Sequence, residues 1–293
     1  MGRNDVQPAR TFAHDSQDGR PMTADVNHSQ NSPAATGAPA GKDNHRRTRF
    51  AVVIPVYNHA LNIEKVARQA LKLGYPVIVV DDGSTDQTRE IVRRIPGIHR
   101  LRHAVNVGKG AALQTGFEAA AAMAGWAITI DADGQHRPEE AVRLAAAAQD
   151  GPRAIVLGRR EGMIHRQVPW TSRFGRGFSN FWVRAAGGGS LTDSQSGFRV
   201  YPLPEVFALK VKARRFQFEV EVLAKAGWLG LPVREVPVSV DYHPGAPRVS
   251  HFRPFIDFCR NTGTFARLIF QRVVVPRAIR RRRLKHPGPR GHP

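Results

Sequence analysis

Between residues 50 and 160, short apolar runs recur and each closes in a polar turn. Phe50 to Val56 ends in Tyr57-Asn58, and Val77-Ile78-Val79-Val80 ends in Asp81-Asp82-Gly83. Gly125 to Ile130 ends in Asp131-Ala132-Asp133-Gly134, and Ala154-Ile155-Val156-Leu157 in Gly158-Arg159-Arg160. Runs of this length, rich in β-branched residues, predict strands buried on both faces of a parallel sheet. Between the first two, Leu61, Ile63, Val66, Ala67, Ala70, Leu71 and Leu73 recur at helical spacing. Gln87 to Arg94 reads as a short helix, His99 to His103 as a weak third strand, and Gly108 to Ala124 as an alanine-rich helix. Pro138, a first-turn proline, opens another helix through Ala148. The alternation predicts an α/β fold, a Rossmann-like, mostly parallel sheet with flanking helices. Its polar loops gather at the carboxyl ends of the strands, where such sheets bind ligands. Past Arg160 the alternation stops. Trp170 to Ala186 reads as an amphipathic helix carrying Phe174, Phe178, Phe181 and Trp182, broken by Gly187-Gly188-Gly189. Phe216 to Trp228 is a further helix and Val233 to Val240 a strand.

Composition sets the flanks. Residues 1–48 are poor in large apolar side chains and rich in Ser, Asn, Asp, Gly and Pro, which predicts a disordered leader. It is not a signal peptide, since no apolar core follows Met1-Gly2-Arg3, and Val6 stands where a myristoylation motif needs Ser or Thr. Residues 49–250 form the predicted α/β domain, and 251–293 a basic amphipathic helix and tail. In that tail Phe252, Phe255, Phe258, Phe265, Ile269 and Phe270 interleave with Arg253, Arg260, Arg267 and Arg272, ahead of Arg280-Arg281-Arg282-Arg283. Such a segment either lies on an anionic leaflet or packs on the domain with a solvated basic end. Cys259 is the only cysteine, which rules out an internal disulfide and fits a reducing cytoplasm. No apolar run approaches the ~18 residues of a membrane span. Membrane association is therefore expected to be peripheral, on the cytoplasmic face, directly or through a membrane-embedded partner protein. The formal charge of +20 calls for an anionic partner. Nucleic acid is the poorer choice, because no aromatic platform, zinc finger or helix-turn-helix accompanies the basic residues.

Candidate chemistry gathers at the acidic strand ends. Residues i and i+2 of an extended segment point the same way, so the Asp131 and Asp133 carboxylates converge as their strand gives out. An isolated Asp-x-Asp is also a common turn. Here a second acidic strand end, Asp81-Asp82, stands in the same sheet and favours a nucleotide-plus-metal site. Asp131 and Asp133, with Gln135 as third ligand, offer the oxygen donors that suit magnesium or manganese, which in turn would hold a diphosphate.

Six stretches then come in a recognisable order: Pro55-Val56-Tyr57-Asn58, Val80 to Asp86, Asn106-Val107-Gly108-Lys109-Gly110, Asp131 to His136, Asp193-Ser194-Gln195-Ser196-Gly197-Phe198-Arg199, and Glu235-Val236-Pro237-Val238. Their order and spacing resemble glycosyltransferase family 2, and the last two its dolichol-phosphate mannose synthase-like branch. The first motif of that family continues Asn-Glu, whereas this chain reads Asn58-His59.

The resemblance implies a glycosyltransferase A-type fold and an inverting, metal-dependent transfer from a nucleotide-sugar donor. It implies donor contacts at Pro55, Tyr57, Asn58, Asp81, Asp82, Lys109, Asp131, Ala132 and Asp133. It further implies a lipid acceptor, a polyprenyl phosphate, held by Arg160 and Arg199 and, by looser correspondence, by Arg173 and Arg176. Arginine suits bidentate phosphate capture, although in so basic a chain each of these also reads as a solvated surface residue. A phosphate monoester already carries a nucleophilic anionic oxygen near neutral pH, its second pKa being about 6. A hydroxyl acceptor on a glycolipid or secondary metabolite is the alternative, and it needs a carboxylate base, for which Asp193 and Glu221 are the candidates. A non-catalytic scaffold is disfavoured by the intact Asp131 and Asp133.

Overall fold

The computed structural model describes residues 48–161, 170–240 and 254–276. The proposed leader, the Arg280–Arg283 cluster and the side chain of Arg173 lie outside the described residues.

Seven strands form one sheet in the order β3-β2-β1-β4-β6-β5-β7. β1 (Thr48–Val56) leads through α1 (Ile63–Leu71) to β2 (Val77–Asp81), then through α2 (Thr88–Arg94) to β3 (Ile98–Arg102). The chain returns through α3 (Lys109–Ala121) and adds β4 (Ala124–Thr129) on the other side of β1. All these pairings are parallel. The reversal of strand order places a switch point between β1 and β4, where open α/β sheets bind ligands at the carboxyl ends. A 3₁₀ turn (Pro138–Glu140) precedes α4 (Ala141–Gln149) and β5 (Ile155–Arg160). α5 (Trp170–Ala185), β6 (Arg199–Pro202), α6 (Leu203–Ala208), α7 (Gln217–Leu229), β7 (Val233–Val238) and α8 (Pro254–Val274) complete the described chain.

Side chains alternate along β1 between two cores. Ala51 and Val53 join Phe117 of α3, Phe218 of α7 and Phe265 and Leu268 of α8 on one face. Phe50, Val52, Ile54 and Val56 join Ile63 of α1, Val92 of α2 and Leu144 of α4 on the other. The period of two explains why β1 is apolar throughout: both of its faces are covered. The alanine richness of α3 follows from close packing. A Cβ on Gly116 would stand 2.3 Å from Val53 Cγ1, so the helix sits almost on the sheet.

The main departure from the sequence reading is β6. No strand was expected at Ser196-Gly197-Phe198-Arg199. Arg199 opens a buried four-residue strand that runs antiparallel between β4 and β5, opposite Thr129 on one side and Leu157 on the other. The proposed strand over 233–240 ends at Val238, and Val240 instead makes an isolated bridge to His136.

Candidate active site

The loops after β1, β2 and β4 meet over the switch point. Asn58 follows β1 in the left-handed region, φ 53°, which asparagine tolerates better than other side chains. Its Oδ1 accepts from the Thr85 amide at 2.8 Å, fastening the β1 loop to the β2 loop. Pro55 is buried and Tyr57 half-buried beside it.

Asp81 and Asp82 are each 2% exposed, and both carboxylates are occupied internally. Asp81 Oδ1 accepts from the Ser84 amide at 2.8 Å, and its Oδ2 pairs with Arg102. Asp82 accepts from the amides of Val107 at 2.9 Å and Gly108 at 2.7 Å, and meets His103 Nδ1 at 2.7 Å. Asp82 thereby fixes the loop that opens α3, where a negative charge also suits the helix terminus. Besides any contact with a nucleoside, both carboxylates are engaged within the protein. They hold the loops of the site. Their partners Arg102 and His103 were not among the expected site residues.

Lys109, at the first turn of α3, is positioned by an intolerant backbone. Gly108 has φ 116°, and a Cβ there would meet Arg214 O at 2.5 Å. The Lys109 ammonium bridges Asp131 Oδ1 at 2.7 Å and Glu219 Oε1 at 2.8 Å. Glu219, on α7, is therefore a site residue that sequence reading overlooked in favour of Glu221, two positions on. Asp131 and Asp133 follow β4, as expected, and Ala132 between them turns into the core. Asn62 Nδ2 donates to the Asp133 carbonyl at 2.9 Å, and the Gln135 amide to Asp133 Oδ1 at 3.0 Å. Gly197 faces this pair so closely that a Cβ would stand 2.2 Å from Asp131 Oδ2.

The electrostatics of the pair are uneven. Burial raises the Asp131 carboxyl, but the charge and hydrogen bond of Lys109 outweigh it and hold the group below its ordinary range. Burial together with the Asp131 charge pushes Asp133 up to about 6. Among the described residues no cluster of three or more His, Cys, Asp or Glu side chains is arranged to hold a metal. His136 is buried against Phe198, with ring centroids 5.2 Å apart, and burial pushes it down to about 4.

The acceptor-side motif differs most from expectation. Asp193 is fully buried and accepts a bidentate pair from Arg160, Nε at 2.7 Å and Nη2 at 2.8 Å, plus the Arg160 amide at 3.2 Å. Burial raises its carboxyl, yet Arg160, helped by the charge of Arg176, takes it below the ordinary range. As placed it is a poor proton acceptor. Glu221, the other proposed base, is also fully buried and engaged by Lys225 at 2.7 Å and Arg267 at 2.9 Å. It ties α7 to α8 and is not a base on the site. Arg199 is fully buried, and it donates to the carbonyls of Ser196 at 2.6 Å, Ser194 at 2.8 Å and Glu219 at 3.1 Å. No phosphate can reach it; it organises the motif that carries Gly197. Glu235 pins the same segment by accepting from the amides of Thr192 and Asp193, each at 2.9 Å. Arg160 and Arg176 are half-buried. The charge of Arg160 is felt by both Asp131 and Asp133, which places it beside the strand-end carboxylates.

Comparison with known proteins agrees with this architecture. The model of glycosyl transferase family 2 matches residues 51–204. A UDP-N-acetylglucosamine–dolichyl-phosphate N-acetylglucosaminyltransferase from Methanococcus voltae is 29% identical over 65% of this chain and 85% of its own. A polyprenol monophosphomannose synthase from Mycolicibacterium smegmatis is 28% identical over 65% of this chain and 77% of its own. Among solved structures, mannosyl-3-phosphoglycerate synthase from Rubrobacter xylanophilus superposes with a TM-score of 0.55 at 16% identity, covering 84% of this chain and 78% of that one. That likeness concerns the fold alone. With the family model spanning more than half of its length and the acidic strand ends in place, the chain belongs to glycosyl transferase family 2 and is a glycosyltransferase.

Proposed function

We propose that the chain transfers a sugar from a nucleoside-diphosphate donor to a lipid-linked phosphate, a polyprenyl phosphate, with inversion at the anomeric carbon. The donor lies across the carboxyl ends of β1, β2 and β4, its nucleoside towards Pro55, Tyr57 and Asn58 and its diphosphate towards Lys109, Asp131 and Asp133. A divalent cation fits the carboxylate pair. Asp131 and Asp133 supply hard oxygen donors that meet at the end of β4, and among the described residues no cluster of three or more His, Cys, Asp or Glu side chains closes round them. Magnesium and manganese are commonly held this way, by one or two carboxylates with phosphate oxygens completing the shell, and Gln135 is the proposed third protein ligand. Such an ion, when bound, stabilises the departing diphosphate as a Lewis acid. Lys109 keeps Asp131 ionised and adds a cation at a helix N-terminus, where anions are favoured.

One observation carries the choice of acceptor: both candidate bases are locked in ion pairs that favour their charged, proton-free forms. Neither is free to leave its pair and take a proton from a hydroxyl. A phosphate acceptor needs no such base, and Arg160 and Arg176 both bring positive charge to bear beside Asp193. The named activities of the Methanococcus and Mycolicibacterium relatives, on dolichyl phosphate and polyprenol, support the same acceptor class. No described helix is long and apolar enough to cross a membrane. The test is a screen of nucleotide sugars with manganese or with chelator, using isoprenyl phosphate and neutral glycolipid as acceptors. Cation-dependent transfer to the phosphate supports the reading. Transfer confined to a hydroxyl overturns it.

A further inference from the structure

The side of α7 turned towards α8 carries a polar cluster that glycosyl transfer does not use. Glu221 lies at its base, paired with Lys225 and Arg267 and accepting from the amides of Lys212 at 3.3 Å and Ala213 at 3.0 Å. One turn earlier, Gln217 is 6% exposed, and its Nε2 has no hydrogen-bond partner among the described residues. Lys212, Ala213, Gln217, Gly263, Thr264 and Arg267 line a groove of about 360 Å³ above this cluster. Lys225 and Arg267 pair with the single carboxylate of Glu221, and the charge of Lys212 reaches Lys225, so the cluster beneath the groove carries positive charge in excess.

This groove is not the donor site. Gln217 and Glu221 are four residues apart and share one side of α7. Glu219, midway between them, points about 200° away, towards Lys109. The groove also continues into an apolar stripe. Gly263, Arg267, Phe270 and Val274 recur at helical spacing along α8, and Phe270, Val273 and Val274 are 65%, 77% and 56% exposed. A donor-rich groove with a surplus of positive charge, a buried amide wanting an acceptor, and exposed apolar residues alongside together describe one kind of ligand. We propose that the groove binds the phosphate of an anionic phospholipid, and that Phe270, Val273 and Val274 seat in the acyl boundary beside it. A free phosphate would use only half of this surface and leave the three apolar side chains in water.

The test is cosedimentation of the full chain with phosphatidylglycerol-containing vesicles and with neutral phosphatidylcholine vesicles. Because a chain of charge +20 binds anionic vesicles diffusely, the informative variants separate site from charge. Gln217→Leu changes no charge, and Lys212→Ala is compared with Lys72→Ala, which removes the same charge from an exposed position on the opposite face of the sheet. Gln217→Leu and Lys212→Ala should each weaken binding to the anionic vesicles by about fivefold, with Lys72→Ala below about twofold. Gln217→Leu should melt no lower than the parent, since it removes a buried amide with unmet hydrogen bonds. Phe270→Ser should weaken binding to both vesicle types. Wild-type anionic binding by Gln217→Leu, or equal losses for Lys212→Ala and Lys72→Ala, would overturn the inference. So would saturation of the groove by inorganic phosphate with vesicle binding unchanged. Loss of donor hydrolysis in either groove variant would place the groove in the reaction site and overturn it too. A chain inactive on every nucleotide sugar, yet selective for phosphatidylglycerol through Gln217, would sink the proposed reaction and leave this inference standing.

Discussion

Gly197 is the residue on which the geometry of the acidic pair turns. Its missing Cβ leaves room for the Asp131 carboxylate, and an alanine there would press on Oδ2 from 2.2 Å. The displaced atom ends a side chain, so the fold should survive while the carboxylate moves. Gly197→Ala is expected to lower turnover by roughly 100-fold, the usual consequence of misplacing a reacting group by about an ångström. An unchanged melting temperature would accompany it, and wild-type turnover in a steady-state assay would refute the assignment. His136 supplies the pH dependence. Burial holds it at about 4 in the folded chain, against 6.5 when unfolded. The unfolded state therefore binds more protons between those values, and stability is lost as pH falls from about 6.5 to 4. The full effect is about 3 kcal/mol. His136→Gln should flatten that part of the curve of melting temperature against pH, and an unchanged slope would show that His136 is not its source.

At the scale of elements, α8 is held to α7 by the pair of Arg267 with Glu221 and by Phe265 and Leu268 in the core. Glu221→Gln leaves Lys225 buried without its counter-charge, and should cost about 3 kcal/mol in denaturant unfolding. Donor hydrolysis by the protein that remains folded should persist; its complete loss would restore Glu221 to the chemistry. What could be read from the sequence here followed from local chemistry. The strands announced themselves because both faces of the sheet are covered, so β-branched residues run on without a polar break, and each acidic pair stands directly at a strand end. β6 was not legible. It has four residues and opens with Arg199, whose burial depends on carbonyls delivered by Ser194, Ser196 and, twenty positions on, Glu219. An arginine in a sequence carries no sign of whether it meets a phosphate or its own backbone. The choice between Glu219 and Glu221 failed for a related reason. Nearly all of α7 is buried, so no polar stripe marks which carboxylate faces the site.

For the whole molecule, the proposed polyprenyl phosphate acceptor would make encounter with the membrane a step of the reaction, and the charge of +20 would favour an anionic leaflet. Seven of the basic residues lie beyond position 276, from Arg277 to Arg290. Their attraction to an anionic leaflet falls off within a Debye length, about 8 Å at physiological ionic strength. Removing residues 277–293 should therefore slow transfer to isoprenyl phosphate embedded in anionic vesicles, most at low salt. At high salt, screening already hides the contribution and the truncated and full chains should converge. The same truncation should leave transfer to a short isoprenyl phosphate in detergent unchanged, because no surface has to be found and Asp131, Asp133 and Lys109 are untouched. Parallel rate measurements in vesicles and in detergent across a salt series separate the outcomes. Equal losses in both would mean that the tail serves the fold or the chemistry. A loss in vesicles that does not vary with salt would remove electrostatics as its cause.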